Sequence, residues 1–225
     1  MIGQIVPGRR LQTIAEMVGK CDCLADIGCD HGRLCGYMLQ KELCRRAVMT
    51  DISDFSLEKA RNLIQRLGLS DRAAFRVGDG AMALDEPPDV AVIAGMGGAL
   101  IADILARGRQ RLGEARLVLQ PNVAVRELRS VLVNCGYVIT DEQIVRDSGR
   151  FYVILAAKPG VAQYTAKEMV VGPVLLKKNP PLLRDYAAFR LRVARKALAG
   201  ALAGGDDAAI CLQRQEEEIW KEFSQ

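Results

Sequence analysis

Histidine is almost absent from this 225-residue chain, His31 being the only one. That removes the imidazole-rich zinc and iron sites, which draw on several histidines at once. The seven cysteines, at positions 21, 23, 29, 35, 44, 135 and 211, do not fill the gap. Cys21-x-Cys23 has no second pair to complete a thiolate site, and an odd count reads as free, mostly buried thiols. No metal is expected. Long apolar runs are also missing: none reaches the roughly 18–20 residues of a membrane-crossing helix, so no membrane partner is expected. The opening Met1-Ile2-Gly3-Gln4-Ile5-Val6-Pro7 lacks the charged start and apolar core of a secretory leader. The chain reads as cytoplasmic. Nor does either sign of charge dominate: the net charge is +4, which permits an anionic partner without requiring one.

What is present is the ordinary material of a folded domain, 50% hydrophobic and 26% charged. From residue 23 to residue 159, short apolar runs alternate with longer amphipathic ones. Strands are expected at 24–27, 47–51, 74–77, 90–94, 117–120, 137–145 and 151–157. The first five are nearly continuous apolar runs, as in strands buried on both faces of a parallel sheet. Helices are expected at 9–18, 32–42, 53–67, 99–109 and 123–135. Ser53 or Asp54 caps the helix at 53–67, and Gly68 stops it. Such alternation makes right-handed βαβ units and a doubly wound α/β sheet. The last two strands have only a turn at Asp147-Ser148-Gly149-Arg150 between them, so the sheet should end in an antiparallel hairpin. After Pro159 the pattern changes. Two helices at 182–203 and 208–223, broken by Gly204-Gly205-Asp206-Asp207, form a helical hairpin. Two domains are therefore expected, 1–159 and 160–225.

The chemistry gathers at the ends of the strands. The first runs into Asp26-Ile27-Gly28-Cys29-Asp30-His31-Gly32, a strand-to-helix turn that lets a backbone approach a ligand. A dinucleotide turn needs a middle glycine to admit pyrophosphate. Here Asp30 stands in its place and sets an anion against an anion, unless it merely caps the helix. The turn resembles instead the D-x-G-x-G-x-G loop of class I methyltransferases, whose cofactor carries an ammonium and a sulfonium. Asp51 ends the second strand, placed for two ribose hydroxyls. Asp79, in Val77-Gly78-Asp79-Gly80, ends the third, where such enzymes accept from the adenine amine. Three acids at three strand ends converge where these sheets bind ligands.

The fourth strand ends in Ile93-Ala94-Gly95-Met96-Gly97-Gly98, without the Asn/Asp-Pro-Pro-Tyr of many amino-methyltransferases. A glycine loop there leaves room for a large substrate's base or backbone. The fifth leads to Gln120-Pro121-Asn122, whose amides face the same cleft or cap the next helix. The stretch from 177 to 196 holds Lys177, Lys178, Arg184, Arg190, Arg192, Arg195 and Lys196 against one acid, Asp185. Glu216, Glu217, Glu218 and Glu222 then reverse the sign.

Together, Arg10-Leu11-Gln12-Thr13-Ile14-Ala15-Glu16, Ala25-Asp26-Ile27-Gly28-Cys29-Asp30-His31, Gly78-Asp79-Gly80, the Ala94-Gly95-Met96-Gly97-Gly98 run, Gln120-Pro121-Asn122 and Val171-Gly172-Pro173 resemble the signatures of the TrmK family. Those are bacterial tRNA (adenine-N1)-methyltransferases acting on the adenine at position 22. The likeness runs over nearly the whole chain, with one departure, a short C-terminal hairpin. It implies a class I methyltransferase fold, S-adenosyl-L-methionine as cofactor and tRNA as partner, with a monomer expected. By the same likeness Asp26, Gly28, Asp30, Gly32, Asp51, Ile52, Asp79, Gly80, Ala94 and Gly95 hold the cofactor, His31 and Asn122 position the target adenine, and Met96, Gly97, Lys177, Lys178, Arg184 and Arg192 meet the substrate. Adenine N1 offers an in-plane lone pair, so positioning and base extrusion, rather than a strong base, carry catalysis. The basic stretch would meet tRNA phosphates. Two alternatives stand beside this: an NAD-dependent oxidoreductase on the same architecture, and a tRNA-binding module without activity.

Overall fold

A computed structural model describes residues 3–225; Met1 and Ile2, on which the reading of the opening segment and the start of the first expected domain fall, lie outside them. The chain separates into two compact units. One comprises residues up to Asp141 together with Val145–Ala162, the other Glu142–Ile144 together with Gln163–Gln225.

The first unit is built on a seven-stranded sheet. Its strands are β1 (Cys21–Ile27), β2 (Cys44–Asp51), β3 (Ala73–Val77), β4 (Val90–Met96), β5 (Arg116–Pro121), β6 (Tyr137–Asp147) and β7 (Arg150–Pro159), in the order β3-β2-β1-β4-β5-β7-β6. β1 to β5 pair in parallel and β7 joins β5 antiparallel. Only Ser148 and Gly149 separate β6 from β7, both with positive φ (50° and 78°), the geometry of a tight hairpin turn. The doubly wound sheet with its terminal hairpin is as the alternation of apolar runs implies. Strand order reverses between β1 and β4, which opens a crevice at their carboxyl ends.

Side-chain alternation makes two buried faces. Met49, Asp26, Val92, Val118 and Ala156 form one transverse row, and Thr50, Ile27, Ile93, Leu119 and Leu155 the next. The first row belongs to a core shared with α1 (Arg9–Val18), α2 (Arg33–Gln40) and α3 (Asp54–Arg66). Asp26 is the one acid in that otherwise apolar row. On the other side α4 (Gly98–Leu112) packs on β4, β5 and α5 (Val125–Asn134). Ser53 caps α3 as expected, its hydroxyl accepting from the Ser56 amide at 3.3 Å.

The second unit holds α6 (Ala166–Val171), α7 (Pro173–Lys178), α8 (Leu183–Gly204) and α9 (Asp207–Phe223). The long pair was legible; α6 and α7, six residues each, are too short to show a helical period. Their signals are local: a Thr165–Glu168 capping box opens α6, and Pro173 sits in the first turn of α7. α8 and α9 pack through Leu183, Tyr186, Ala187, Leu191 and Ala194 against Ile219 and Trp220. Tyr186 meets Trp220 edge-on, ring centres 5.6 Å apart. Gly205 ends α8 in the left-handed conformation and Asp206 caps α9 through the Ala209 amide at 3.0 Å.

Cys23, Cys29, Cys35 and Cys44 are buried, Cys211 is exposed, and all seven cysteines are free. Burial pushes the Cys21 thiol up to about 11 and the Cys44 thiol to about 12, so both stay protonated. Among the described residues no cluster of metal-ligating side chains occurs, and no helix is long and apolar enough to cross a membrane.

Candidate active site

A cleft of about 830 Å³ opens at the carboxyl ends of β1 to β4, a size suited to a cofactor. Every residue lining it belongs to the sheet unit. Five aspartates reach it (Asp26, Asp30, Asp51, Asp79 and Asp147) against two arginines, Arg10 and Arg33. Such a cleft favours a ligand with positive charge and disfavours a pyrophosphate.

Asp26 ends in the cleft floor and is only 6% exposed. Its one hydrogen-bond partner among the described residues is the weak donor Cys35 Sγ, 3.8 Å away. Burial therefore pushes its carboxyl up to about 7; the thiol and Arg10 pull it down, and Asp51 pushes the same way as burial. Asp51 is held differently. Its Oδ1 accepts from the Ser53 amide at 2.9 Å and its Oδ2 from the Asp30 amide at 3.3 Å. The end of β2 also binds the β1 turn, since the Thr50 carbonyl accepts from the amides of Gly28 and Cys29. Asp51 is thus fixed by backbone, whereas Asp26 is held by burial.

Asp79 is fixed by a side chain. Arg107 of α4 donates Nη1 to its Oδ2 and Nη2 to its Oδ1, and also binds Asp103. Arg107 holds the Asp79 carboxyl below the usual carboxylate range. Asp30 does not cap α2: Gly32 occupies the cap position, without any side-chain bond. The Asp30 carboxylate instead takes His31 Nδ1 at 2.5 Å. In a neutral ring that pairing places the proton on Nδ1 and leaves Nε2 as the acceptor.

The loop after β4 is shaped by a bulge between Ala94 and Met96, with Gly95 at φ 79°. A left-handed residue in a bulge calls for glycine. A chain of amides holds it in place. Arg10 Nη1 donates to Gln120 Oε1, Gln120 Nε2 to Asn122 Oδ1 at 3.1 Å, and Asn122 Nδ2 to the Gly95 carbonyl at 2.7 Å. Gln120 is fully buried. Asn122 therefore neither lines the cleft nor caps α5, whose cap position is Ala124. Its amide is spent on the frame of the loop.

Of the residues the sequence assigned to the cofactor, Asp26, Gly28, Asp30, Asp51, Ile52, Asp79, Gly80, Ala94 and Gly95 line this one cleft, as do His31 and Met96. Gly32 does not. A Cβ there would come within 2.8 Å of the Ala60 Cβ and 3.1 Å of the Met49 sulfur, so its glycine serves helix packing. Gly97 is also off the cleft, beside Val123. Lys177, Lys178, Arg184 and Arg192 are exposed residues of the helical unit, on α7 and α8. Within the same unit Arg190 and Arg195 pair with Glu216 and Glu217 of α9. Sequence reasoning gave no site role to Arg10, Arg107 or Asp147. Arg10 is 110 residues from Gln120 and its amide 137 from Asp147 Oδ2, which accepts from it at 3.0 Å. Nothing in local spacing signals such partners.

The sequence profile of TrmK, tRNA (adenine(22)-N(1))-methyltransferase, matches residues 24–218. The tRNA (adenine(22)-N(1))-methyltransferase of Bacillus subtilis is 36% identical over 187 residues, 79% of each chain. The crystal structure of the B. subtilis m1A22 tRNA methyltransferase superposes with a TM-score of 0.88 at 29% identity, over 98% of this chain and 99% of that one. A Streptococcus pneumoniae protein solved in complex with S-adenosyl-L-methionine superposes with a TM-score of 0.87 at 27% identity, over 98% and 100% of the two chains.

Proposed function

The chain belongs to the family of tRNA (adenine(22)-N(1))-methyltransferases, and from that premise we propose how its residues divide the work. It is an S-adenosylmethionine-dependent enzyme that methylates N1 of an adenine in tRNA. The oxidoreductase alternative falls with the family, and five aspartates around the cleft suit no pyrophosphate.

The observation that carries the site assignment is the convergence of Asp26, Asp51 and Asp79 on one cleft. A buried carboxylate with a single thiol donor is under-satisfied, and an ammonium is the group that satisfies it. Asp51, braced by two amides, keeps lone pairs for the ribose hydroxyls. Asp79 accepts from the adenine amine, with Ile52 and Gly80 beside the base. When bound, S-adenosylmethionine supplies an electrophilic methyl group that a neutral adenine N1 takes without prior deprotonation. The protein's part is then to hold the target base and its amine. His31 Nε2, left as an acceptor by Asp30, takes a proton of the N6 amine, whose acidity grows as N1 becomes cationic. Met96 and the Gly95 loop border the base, and Asn122 acts by positioning that loop. Gly97 and Gly32 shape the backbone around it.

The helical unit, residues 160–225 in this division of labour, supplies RNA affinity through Lys177, Lys178, Arg184 and Arg192 on tRNA phosphates. The protein works as a monomer in the cytoplasm, where its substrate is. Incubation with methyl-labelled cofactor and unmodified tRNA carrying adenine 22 tests the reading. Label should enter N1 of that adenine. Absence of label there, with the cofactor bound, defeats the assignment and leaves the inactive RNA-binding alternative.

A further inference from the structure

One side of the cleft mouth carries the opposite charge to the interior. There the first turn of α1 is fastened to the β6–β7 turn, and both belong to the sheet unit. Asp147 Oδ2 accepts from the Arg10 amide at 3.0 Å, and its Oδ1 accepts from the Ser148 hydroxyl at 3.2 Å. The Arg10 guanidinium stacks 5.5 Å from the centre of the Tyr152 ring, and a Cβ on Gly8 would lie 3.1 Å from Asp147 Oδ2. Three further arginines stand on this fastening. Arg9 opens α1, Arg146 precedes Asp147 on β6, and Arg150 opens β7. All three are exposed, and among the described residues none lies in an ion pair. Arg146 rests 5.6 Å from the centre of the Phe151 ring, a stack that leaves its N–H donors free. Arg150 shares a face of β7 with Tyr152, two residues on, and so turns towards Arg10. The one acid among them, Asp147, already has both oxygens engaged.

Inside the cleft, aspartates outnumber arginines five to two. A phosphate driven inward would therefore meet repulsion, whereas at this rim it meets unpaired guanidiniums. Such an inversion of charge sorts the parts of one nucleotide: the neutral base can enter while its anionic backbone stays outside. We propose that Arg9, Arg146 and Arg150 form a phosphate-binding rim that holds the RNA backbone beside the adenine entering the cleft. A planar guanidinium meets two phosphate oxygens with two N–H donors. A base taken out of its stack needs its flanking backbone held in register, which is where phosphate contacts act. The inference rests on reading the cleft as the site of methyl transfer, and it gives the sheet unit an RNA contact of its own.

Phosphate ethylation interference on the full chain locates the contact. With the wild type, ethylation of the phosphates flanking adenine 22 should exclude tRNA from the bound fraction. With Arg9→Ala/Arg150→Ala that exclusion should vanish, while interference elsewhere along the tRNA persists. KM for tRNA should rise about tenfold, and the slope of log affinity against log salt should fall by about two. Affinity for S-adenosylhomocysteine should not move. Arg9→Lys/Arg150→Lys keeps the charge and should restore the salt slope. An unchanged interference pattern in the alanine variant would take the rim off the RNA. A parallel loss of S-adenosylhomocysteine affinity would place the effect inside the cleft. Either overturns the proposal. Wild-type protein that binds the cofactor but fails to label adenine 22 defeats the reading of the cleft itself; labelling by the wild type with an unmoved alanine variant defeats only the rim.

Discussion

The cleft of the sheet unit and the basic surface of the helical unit use charge in opposite ways. In the cleft, carboxylates are individually fixed: Asp26 is 6% exposed, Asp51 is braced by two amides, and Asp79 is gripped by Arg107. On α7 and α8 the arginines and lysines are long, exposed and numerous, and some are already matched by glutamates of α9. Fixed charge discriminates between small ligands, because little reorganisation is needed on binding. Exposed charge sums over many weak, screened contacts and suits a polyanion of variable shape. Substitutions should therefore act steeply in the first region and gradually in the second.

The steepest effect is expected at Asp51. Removing a carboxylate that serves two hydroxyls at once should weaken S-adenosylhomocysteine at least about 100-fold, at 1.5–3 kcal/mol for each hydrogen bond to a charged group. The unit should stay folded, with a melting temperature within a few degrees, since only two loop amides lose their partner. Tight binding by Asp51→Ala would end the contrast, because the cleft would then tolerate loss of a fixed charge.

Asp26 should show the same steepness as a pH dependence. Its carboxyl lies at about 7 in the folded chain against 3.8 ordinarily, burial being the main cause. The folded value is the higher one. Its contribution to the stability of the free protein is thus complete below about pH 4 and lost as pH rises through about 7, roughly 4 kcal/mol between the limits. Ligand binding runs the other way, since an ammonium needs the charged form. Affinity for S-adenosylhomocysteine should rise about tenfold from pH 6 to pH 8. Asp26→Asn should flatten both curves, which chemical denaturation and calorimetry across that range would reveal. A wild-type affinity that falls with pH would contradict the role given to this carboxyl.

Asn122 sits between the extremes. It holds the Gly95 carbonyl at 2.7 Å without lining the cleft, so Asn122→Ala should lower kcat about tenfold through misplacement of the loop. The affinity for S-adenosylhomocysteine should stay within about threefold. A loss confined to cofactor affinity would move Asn122 out of substrate positioning.

What could be read from the sequence follows the same division. Gly28, Asp51, Asp79 and Gly95 stand at fixed offsets from strand ends, and the parallel sheet brings every such end to one crevice. Arg10 and Arg107 could not be read, because Arg10 meets Gln120, and Arg107 meets Asp79, only through tertiary packing. Gln120 and Asn122 were seen as a pair, but whether they faced the cleft or each other depended on an arginine 110 residues from Gln120. In the helical unit the charge reversal between residues 177–196 and 216–222 was plain. It proves to be partly internal, since Arg190 meets Glu216 at 3.6 Å and Arg195 meets Glu217 at 2.9 Å. Composition alone cannot say which cations are already matched.

That last point sets the smallest prediction and the sharpest test of the helical unit. Arg184 and Arg192 are exposed and, among the described residues, lie in no ion pair, whereas Arg195 is paired with Glu217. If α8 meets phosphates, Arg184→Ala and Arg192→Ala should each raise KM for tRNA about threefold. Each should also reduce the slope of log affinity against log salt by about one. Cofactor affinity should not move. Arg195→Ala should have less effect on tRNA, because an arginine already bound to a carboxylate must give up that partner before meeting a phosphate. Its loss also exposes Glu217 as an unpaired anion, so Glu217→Gln in the same background should recover what was lost. Equal, salt-independent effects from all three arginines would mean that α8 supports the fold of its unit rather than the grip on RNA.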